Sequence, residues 1–392
     1  MPVLASSDKC YGCAACSNVC QKQCIEMQIN EYGELRPLVN YELCVDCGLC
    51  ISVCGAMKSP HFVEPEEVIA MAINEPRRKG SASGGAARAL YEVALNSGAV
   101  VFGCDFDENG ILRIQSASDF EKIENFRNSK YTFSRMEKCC LEIKSLLKKD
   151  IPVLFIGTSC QVHALKCFLG DESEGLTTVD LICHGVPPEK YFYEYLQYRK
   201  SLLDEKINKI RFRSDNSNDD YRLRLYSESN CIYDVFARED PFFAGYVNCA
   251  IFEERCYNCI FSQKKRVSDI TIGDWYGSTQ LSANKLSLVL INSLNGKKIV
   301  QNMLAQPDVV YELHTLEEAL NSNEQLRGAS ALPERYFEMR EYYKENDFMK
   351  MSEKFITPYI EEYRRKKRNE KRKRFMMLPG RILRKIKRMM KR

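Results

Sequence analysis

Cysteines at positions 10, 13, 16 and 20 are followed by four more at 44, 47, 50 and 54, so the spacing C-x2-C-x2-C-x3-C occurs twice. A short chain with that spacing wraps thiolates around two cubane iron–sulfur clusters. The first three cysteines of a run hold one cluster and the fourth reaches across to the other. The spacing therefore assigns Cys10, Cys13, Cys16 and Cys54 to cluster one, and Cys44, Cys47, Cys50 and Cys20 to cluster two. Zinc sites want pairs of cysteines separated by a longer stretch, not three at successive gaps of two. Proline usually follows the fourth cysteine. Gln21 and Gly55 stand there instead, a change that bears on potential or lability without removing a ligand. Cys24 lies just outside the pattern and reads as a small buried residue.

A chain of 392 residues has room for two or three domains. No apolar run approaches the ~18 residues that a membrane span needs, and no basic-then-apolar leader opens the sequence. Nineteen cysteines without an export signal argue for a reducing compartment, where thiols act as ligands, so the expected location is cytoplasmic. Charge is distributed unevenly. From Arg364 to Arg392 sixteen Lys and Arg face one acid, Glu370, so the rest of this chain of net charge +4 is acidic.

Residues 1–59 read as a ferredoxin-like module, too small for a real hydrophobic core and dependent on its clusters. Between its two runs, Ile25 to Val39 alternates and carries Tyr32-Gly33, which suits a short hairpin. A helix is expected from Glu66 to Ile73, ended by Pro76. From about Gly80 the texture changes to alternating strands and helices. Ser83-Gly84-Gly85 opens a helical run through Leu95, and strands are expected at 99–104, 151–156, 177–182 and 269–273. Residues 211–235 look antiparallel, and the chain becomes increasingly helical from Ala319. The fold class expected is a multidomain α+β and α/β protein. It comprises the bicluster module (1–59), an α/β domain (60–330), a helical extension (331–363) and a helical basic tail (364–392).

Five pieces in the middle of the chain form a second pattern: Ser81-Ala82-Ser83-Gly84-Gly85, Ser129 to Ser134, Gly157-Thr158-Ser159-Cys160-Gln161, Leu181-Ile182-Cys183-His184-Gly185, and Cys256-Tyr257-Asn258-Cys259 leading into Ser268 to Asp274. Taken in this order they resemble the beta subunit family of coenzyme F-420-reducing hydrogenase. Its relatives include the beta subunit of F-420-dependent formate dehydrogenase and the plant 7-hydroxymethyl chlorophyll a reductase. The resemblance covers about residues 75 to 300 and implies a FAD-binding α/β domain with its own 4Fe-4S cluster. Its ligands match Cys160, Cys183, Cys256 and Cys259, which would bring the total to three 4Fe-4S clusters and one FAD. The alternative is that Cys256 and Cys259 form half a zinc site while Cys160 and Cys183 are small buried residues.

For the flavin, Ser83, Gly84 and Gly85 sit at an expected helix start, where free N–H groups and the helix dipole favour a phosphate. The resemblance places Lys130 near the flavin ring or its phosphates, where a positive charge stabilises reduced flavin. Asp269, Gly273 and Asp274 are expected to shape the pocket wall, and Trp275 is either a stacking residue or core. Ser159 stands where the family usually has proline. His163 and His184 are the histidines placed to relay protons near neutral pH.

The chemistry implied is that of an iron–sulfur flavoprotein oxidoreductase. It would move single electrons between a ferredoxin-type carrier and FAD for two-electron reduction of a substrate. The alternative is an electron-transfer subunit feeding a partner enzyme, with no substrate of its own. In the tail, Ile382, Leu383, Ile386, Met389 and Met390 make an apolar stripe opposite Arg and Lys. The segment reads as a helix lying on an anionic membrane surface at the inner face of the cell membrane, with nucleic acid or a solvated tail as alternatives.

Overall fold

The computed structural model describes residues 3–203, 205–214, 221–282 and 285–376; the stripe at 382–390 lies outside them. The chain builds around a nine-stranded mixed sheet. Its order is Val309–His314, Glu67–Ile73, Leu286–Ile291, Ile270–Trp275, Leu176–Leu181, Val153–Thr158, Val100–Phe106, Leu112–Ala117 and Ser134–Arg135. The four middle strands from Ile270–Trp275 to Val100–Phe106 run parallel, and antiparallel strands flank them on both sides. Parallel strands are buried on both faces, which is why these segments read as short apolar runs.

Glu67–Ile73 corrects the expected helix at Glu66–Ile73. It is a strand, paired antiparallel with Leu286–Ile291 on one side and Val309–His314 on the other. Val68 to Ile73 are all buried, so both faces of the strand are apolar. An apolar run without alternation does not distinguish strand from helix by its period. Neighbouring strands on both sides settle the choice here.

One face of the sheet is covered by the helices Ala86–Asn96 and Leu294–Leu304, packed on Ile69, Val101, Leu154 and Val289. The other face receives Cys139–Leu147 and Ser159–Leu169, packed through Ile143, Val162 and Leu165 against Phe102 and Phe155. A separate antiparallel sheet of Lys209–Arg213, Tyr221–Ser227 and Asn230–Phe236 is the antiparallel stretch read from the sequence. It closes an aromatic core with Glu189–Leu203, Pro241–Val247, Tyr336–Lys344 and Phe348–Phe355. The helix Thr357–Met376 runs on into the basic segment, its Tyr363 ring 5.7 Å from that of Phe236. No helix among the described residues is long and apolar enough to cross a membrane.

The cysteine-rich module does not stand apart from this body. Its hairpin, Ile25–Ile29 with Leu35–Val39, pairs antiparallel. Ala15 and Val53 join the core beneath the large sheet. Gly55 lies so close to the Ser159–Leu169 helix that an added Cβ would sit 3.1 Å from the Ala164 Cα. His163 Nε2 lies 3.1 Å from the carbonyls of both Gly55 and Lys58, and Asn18 Nδ2 donates to Glu137 O at 2.7 Å.

Gly84 shows how tightly the loop ahead of Ala86–Asn96 is set on the sheet. A Cβ there would lie 2.1 Å from Met71 O and 2.5 Å from Ser287 N, both in sheet backbone that cannot yield locally. Gly84→Ala should cost at least the ~1–3 kcal/mol of an overpacked core, read as a lowered thermal unfolding midpoint; an unchanged midpoint would contradict this packing.

Candidate redox site

In an open α/β sheet, sites form beyond the carboxyl ends of parallel strands. Here a cavity of about 500 Å³ opens at those ends. Each of the five sequence pieces contributes to its wall except the Cys256–Cys259 pair: Ser81, Ser83 and Gly85, then Lys130 and Tyr131, then Thr158 and Cys160, then Cys183 and His184, then Gly273 and Asp274.

The residues proposed for a flavin take different roles. Gly85, at φ 95°, enters the Ala86–Asn96 helix in a conformation few other residues adopt, and Ser287 Oγ accepts from Ala86 N at 3.4 Å. Ser83 Oγ donates to Leu286 O at 2.6 Å and so ties the loop to the sheet. Gly84 packs on the sheet backbone and is absent from the cavity wall. Lys130 Nζ donates to the carbonyls of Asn125 and Arg127 at 2.9 and 3.0 Å. Burial pulls its pKa down, which the nearby Cys104 and Asp105 oppose. Asp274 Oδ2 accepts from Arg213 Nη1 and Tyr276 Oη, both at 2.9 Å. Asp269 is not in the wall, contrary to expectation. It sits at the opposite end of its strand, where Oδ2 accepts from Thr178 N and Oγ1, and Oδ1 from Ser293 Oγ. Trp275 is core: it is buried, its Nε1 donates to Ser278 O, and its ring lies 4.3 Å from that of His314.

Among the described residues, the buried polar atoms of the wall without a hydrogen-bond partner include Ser81 Oγ, Thr132 Oγ1 and Arg127 Nε. Buried donors and acceptors are almost always satisfied, so these fit a cavity that receives a polar ligand.

The cysteines fall into sets. Cys10, Cys13, Cys16 and Cys54 bound a second, smaller cavity, so the structure brings Cys54 to the three cysteines of the first run. Burial pushes the Cys16 thiol up to about 12 and raises Cys10 and Cys13, with the neighbouring thiols adding to each. Thiols held neutral in this way give up their protons when iron binds. In the second run Cys50 is buried and faces Cys44 and Cys47, and Cys47 is exposed. Cys20 Sγ lies 3.3 Å from the Sγ of Cys24, which also faces Cys44. Cys24 is thus buried, as expected, but against a ligand candidate.

The third set comes from three places: the start of Ser159–Leu169, the loop after Leu176–Leu181, and the short helix Glu254–Tyr257 with its following turn. Burial pushes Cys183 up to about 12, reinforced by Cys160 and Cys259, and it raises Cys256, which feels Cys183. Ser159, in the place of the family's proline, accepts from Arg266 Nη2 at 2.8 Å. Arg266 also pairs with buried Asp180 at 2.8 Å and donates to Phe261 O, so it fixes the Cys256–Cys259 loop to the strand ends. Among the described residues no three His, Cys, Asp or Glu side chains converge as they would on one metal ion. A cubane differs in that four irons spread the thiolates around a larger volume.

Two residues missed in the sequence link these sets. Tyr11 lines both cavities, its ring 5.8 Å from that of Phe261. Arg255 lines the large cavity, with Nη1 3.6 Å from Cys160 Sγ and Nε donating to buried Glu253 at 2.7 Å. The only sequence signal was position, Tyr11 just after Cys10 and Arg255 just before Cys256. His163 belongs to the module junction, and its pKa is lowered by burial. His184 lines the large cavity.

Residues 9–56 match the family model for a 4Fe-4S dicluster domain, and residues 151–318 match that for the C terminus of the coenzyme F420 hydrogenase/dehydrogenase beta subunit. Twelve chains of solved structures match. One belongs to a xenon-derivatized F420-reducing [NiFe] hydrogenase complex from Methanosarcina barkeri. It is 17% identical, with 76% of this chain and 93% of that chain covered and a TM-score of 0.43. No curated protein matches the sequence.

The grouping of Cys54 with the first run generates a test. Cys54→Ala should lose about four irons and leave the cluster of the second run, followed by iron analysis and by EPR of the reduced protein. Loss of the signal from the second run instead would contradict the grouping.

Proposed function

From the match of residues 151–318 to the C terminus of the coenzyme F420 hydrogenase/dehydrogenase beta subunit and of residues 9–56 to a 4Fe-4S dicluster domain, we propose that the chain is an iron–sulfur flavoprotein oxidoreductase of that family with three 4Fe-4S clusters and one FAD. The observation that carries this reading is the wall of the 500 Å³ cavity, whose lining includes Cys160 and Cys183 together with Ser81 Oγ, Thr132 Oγ1 and Arg127 Nε, which lack a partner among the described residues. A bound flavin supplies two-electron exchange with a substrate and one-electron exchange with cubanes.

The chain's own residues bind and orient. Ser81, Thr132 and Arg127 offer hydrogen bonds to a polar ligand. Lys130, its ammonium aimed by two backbone carbonyls, gives the wall a cation suited to an anionic group. Tyr131, Tyr246 and Tyr276 supply aromatic surface. Exposed Cys47 marks the second run as the place where a one-electron carrier of ferredoxin type would meet the chain, with cluster one and Tyr11 between it and the large cavity. The family description names a subunit, which favours a second reading: an electron-transfer subunit serving a partner enzyme. Turnover of a small acceptor by the purified chain alone decides between the two.

Anaerobically purified protein should contain about twelve irons and one FAD per chain and should bleach with dithionite. Cys160→Ala should lose about four of those irons and slow flavin reduction by a one-electron donor at least tenfold. Eight irons and no flavin in the unaltered chain would overturn the reading.

The basic tail with its apolar stripe at 382–390 is proposed to seat the chain on an anionic membrane surface. Ending the chain after Met376 keeps the Tyr363–Phe236 packing. That truncation should abolish co-sedimentation with anionic vesicles, and unchanged co-sedimentation would refute the proposal.

A further inference from the structure

Cys10 belongs to one proposed cluster and Cys160 to another, and a single buried ion network reaches both. Arg255 Nη1 lies 3.6 Å from Cys160 Sγ. Its Nε donates at 2.7 Å to Oε2 of Glu253, which is fully buried. The same oxygen accepts from Arg36 Nη2 at 3.0 Å. Arg36 also meets Glu34 at 3.1 Å, and Glu34 meets Arg340 at 3.1 Å. The network therefore ties the module's hairpin to the helix Tyr336–Lys344 and to the turn that carries Cys256. Arg36 Nε also donates to Ser7 O at 3.1 Å, three residues ahead of Cys10, and the Arg255 charge acts on Cys10 and Cys183.

Burying ions is costly unless each is paired, and a broken buried pair costs several kcal/mol. Stability alone gives no reason to aim one of those ions at a cysteine sulfur. Cluster chemistry does. A cubane held by four thiolates is anionic and gains a further negative charge on reduction, so neighbouring clusters oppose each other's reduction. A guanidinium between them offsets that repulsion, since net charge and hydrogen bonds to sulfur set cluster potentials.

Resting on the three-cluster reading above, we propose that Arg255, held by Glu253, is a positioning residue that raises the potentials of cluster one and the third cluster together, and so keeps electron passage between them close to level. Glu253 sets the strength of the effect by partly neutralising the guanidinium. Arg255 is not among the main influences on Cys20 or Cys50, so cluster two serves as an internal reference.

The test is an EPR-monitored redox titration of anaerobically purified full-length protein: unaltered, Arg255→Gln and Glu253→Gln. In Arg255→Gln the reduced-to-oxidised ratio of cluster one and of the third cluster at fixed potential should fall about tenfold, which is about 59 mV for one electron. The cluster-two signal should not move. Glu253→Gln should shift the same two signals the opposite way. If Arg255→Gln fails to retain iron, the sign in Glu253→Gln decides: a rise supports the proposal, whereas no change or a fall overturns it. Equal shifts in all three signals, or none, would also overturn it. Eight irons in the unaltered chain would remove the third cluster and this proposal with it. Twelve irons with unmoved potentials would overturn the proposal alone.

Discussion

The seating of the turn after Cys54 on the helix Ser159–Leu169 is the constraint from which the rest of the site follows. Cys54 is the last cysteine of the module and Cys160 lies in the first turn of that helix. His163 approaches the carbonyls of Gly55 and Lys58, and the absence of a side chain at Gly55 allows contact with Ala164. With that contact made, Tyr11 falls between the small cavity of the first run and the large cavity at the strand ends. The exposed thiol of Cys47 is left facing outward. A module of this size has little apolar interior of its own, so sharing the core of the larger body through Ala15 and Val53 gives it a fixed position as well as stability.

Charge is the second organising element. The module's hairpin, the cysteine turn at 253–259 and the helix Tyr336–Lys344 meet through Glu34, Arg36, Glu253, Arg255 and Arg340, all buried or nearly so. Well-packed apolar residues of similar volume would serve stability as well. An ionic junction at this place instead puts positive charge beside a cysteine sulfur, with Arg255 Nη1 3.6 Å from Cys160 Sγ. The aromatic core around Phe212, Phe242 and Tyr195 closes the same side and anchors the Tyr336–Lys344 and Phe348–Phe355 helices. Arg340 is held in that frame by its 2.9 Å bond to Tyr336 Oη.

Much of this was legible in the sequence wherever information is local. Covalent spacing places cysteines around a cluster, so the two runs could be read directly. The hairpin at 25–39 and the parallel strands ending at Thr158 and Leu181 follow from alternation and from short apolar runs bounded by turns. Glu67–Ile73 was misread because a strand buried on both faces has no polar side to reveal its period. Asp269 was misplaced by one strand length: its motif lies near the cavity, but the carboxylate points to Thr178 and Ser293 at the other end of the strand. Arg255 and Glu253 could not be recognised at all, since their meaning depends on Arg36, more than two hundred residues away in sequence. Gly84 was expected at a phosphate-binding helix start, whereas it packs against the Met71 carbonyl of the sheet.

The central claim is a line of three clusters running from an exposed thiol to a flavin cavity. Anomalous diffraction at the iron edge, from crystals grown without oxygen, tests it most directly. The account predicts three compact iron peaks, one between Cys20 and Cys50, one within Cys10, Cys13, Cys16 and Cys54, and one among Cys160, Cys183, Cys256 and Cys259, with flavin density beside Ser81 and Thr132. Iron confined to the two peaks of the first sixty residues, with no ligand density at the strand ends, would contradict it.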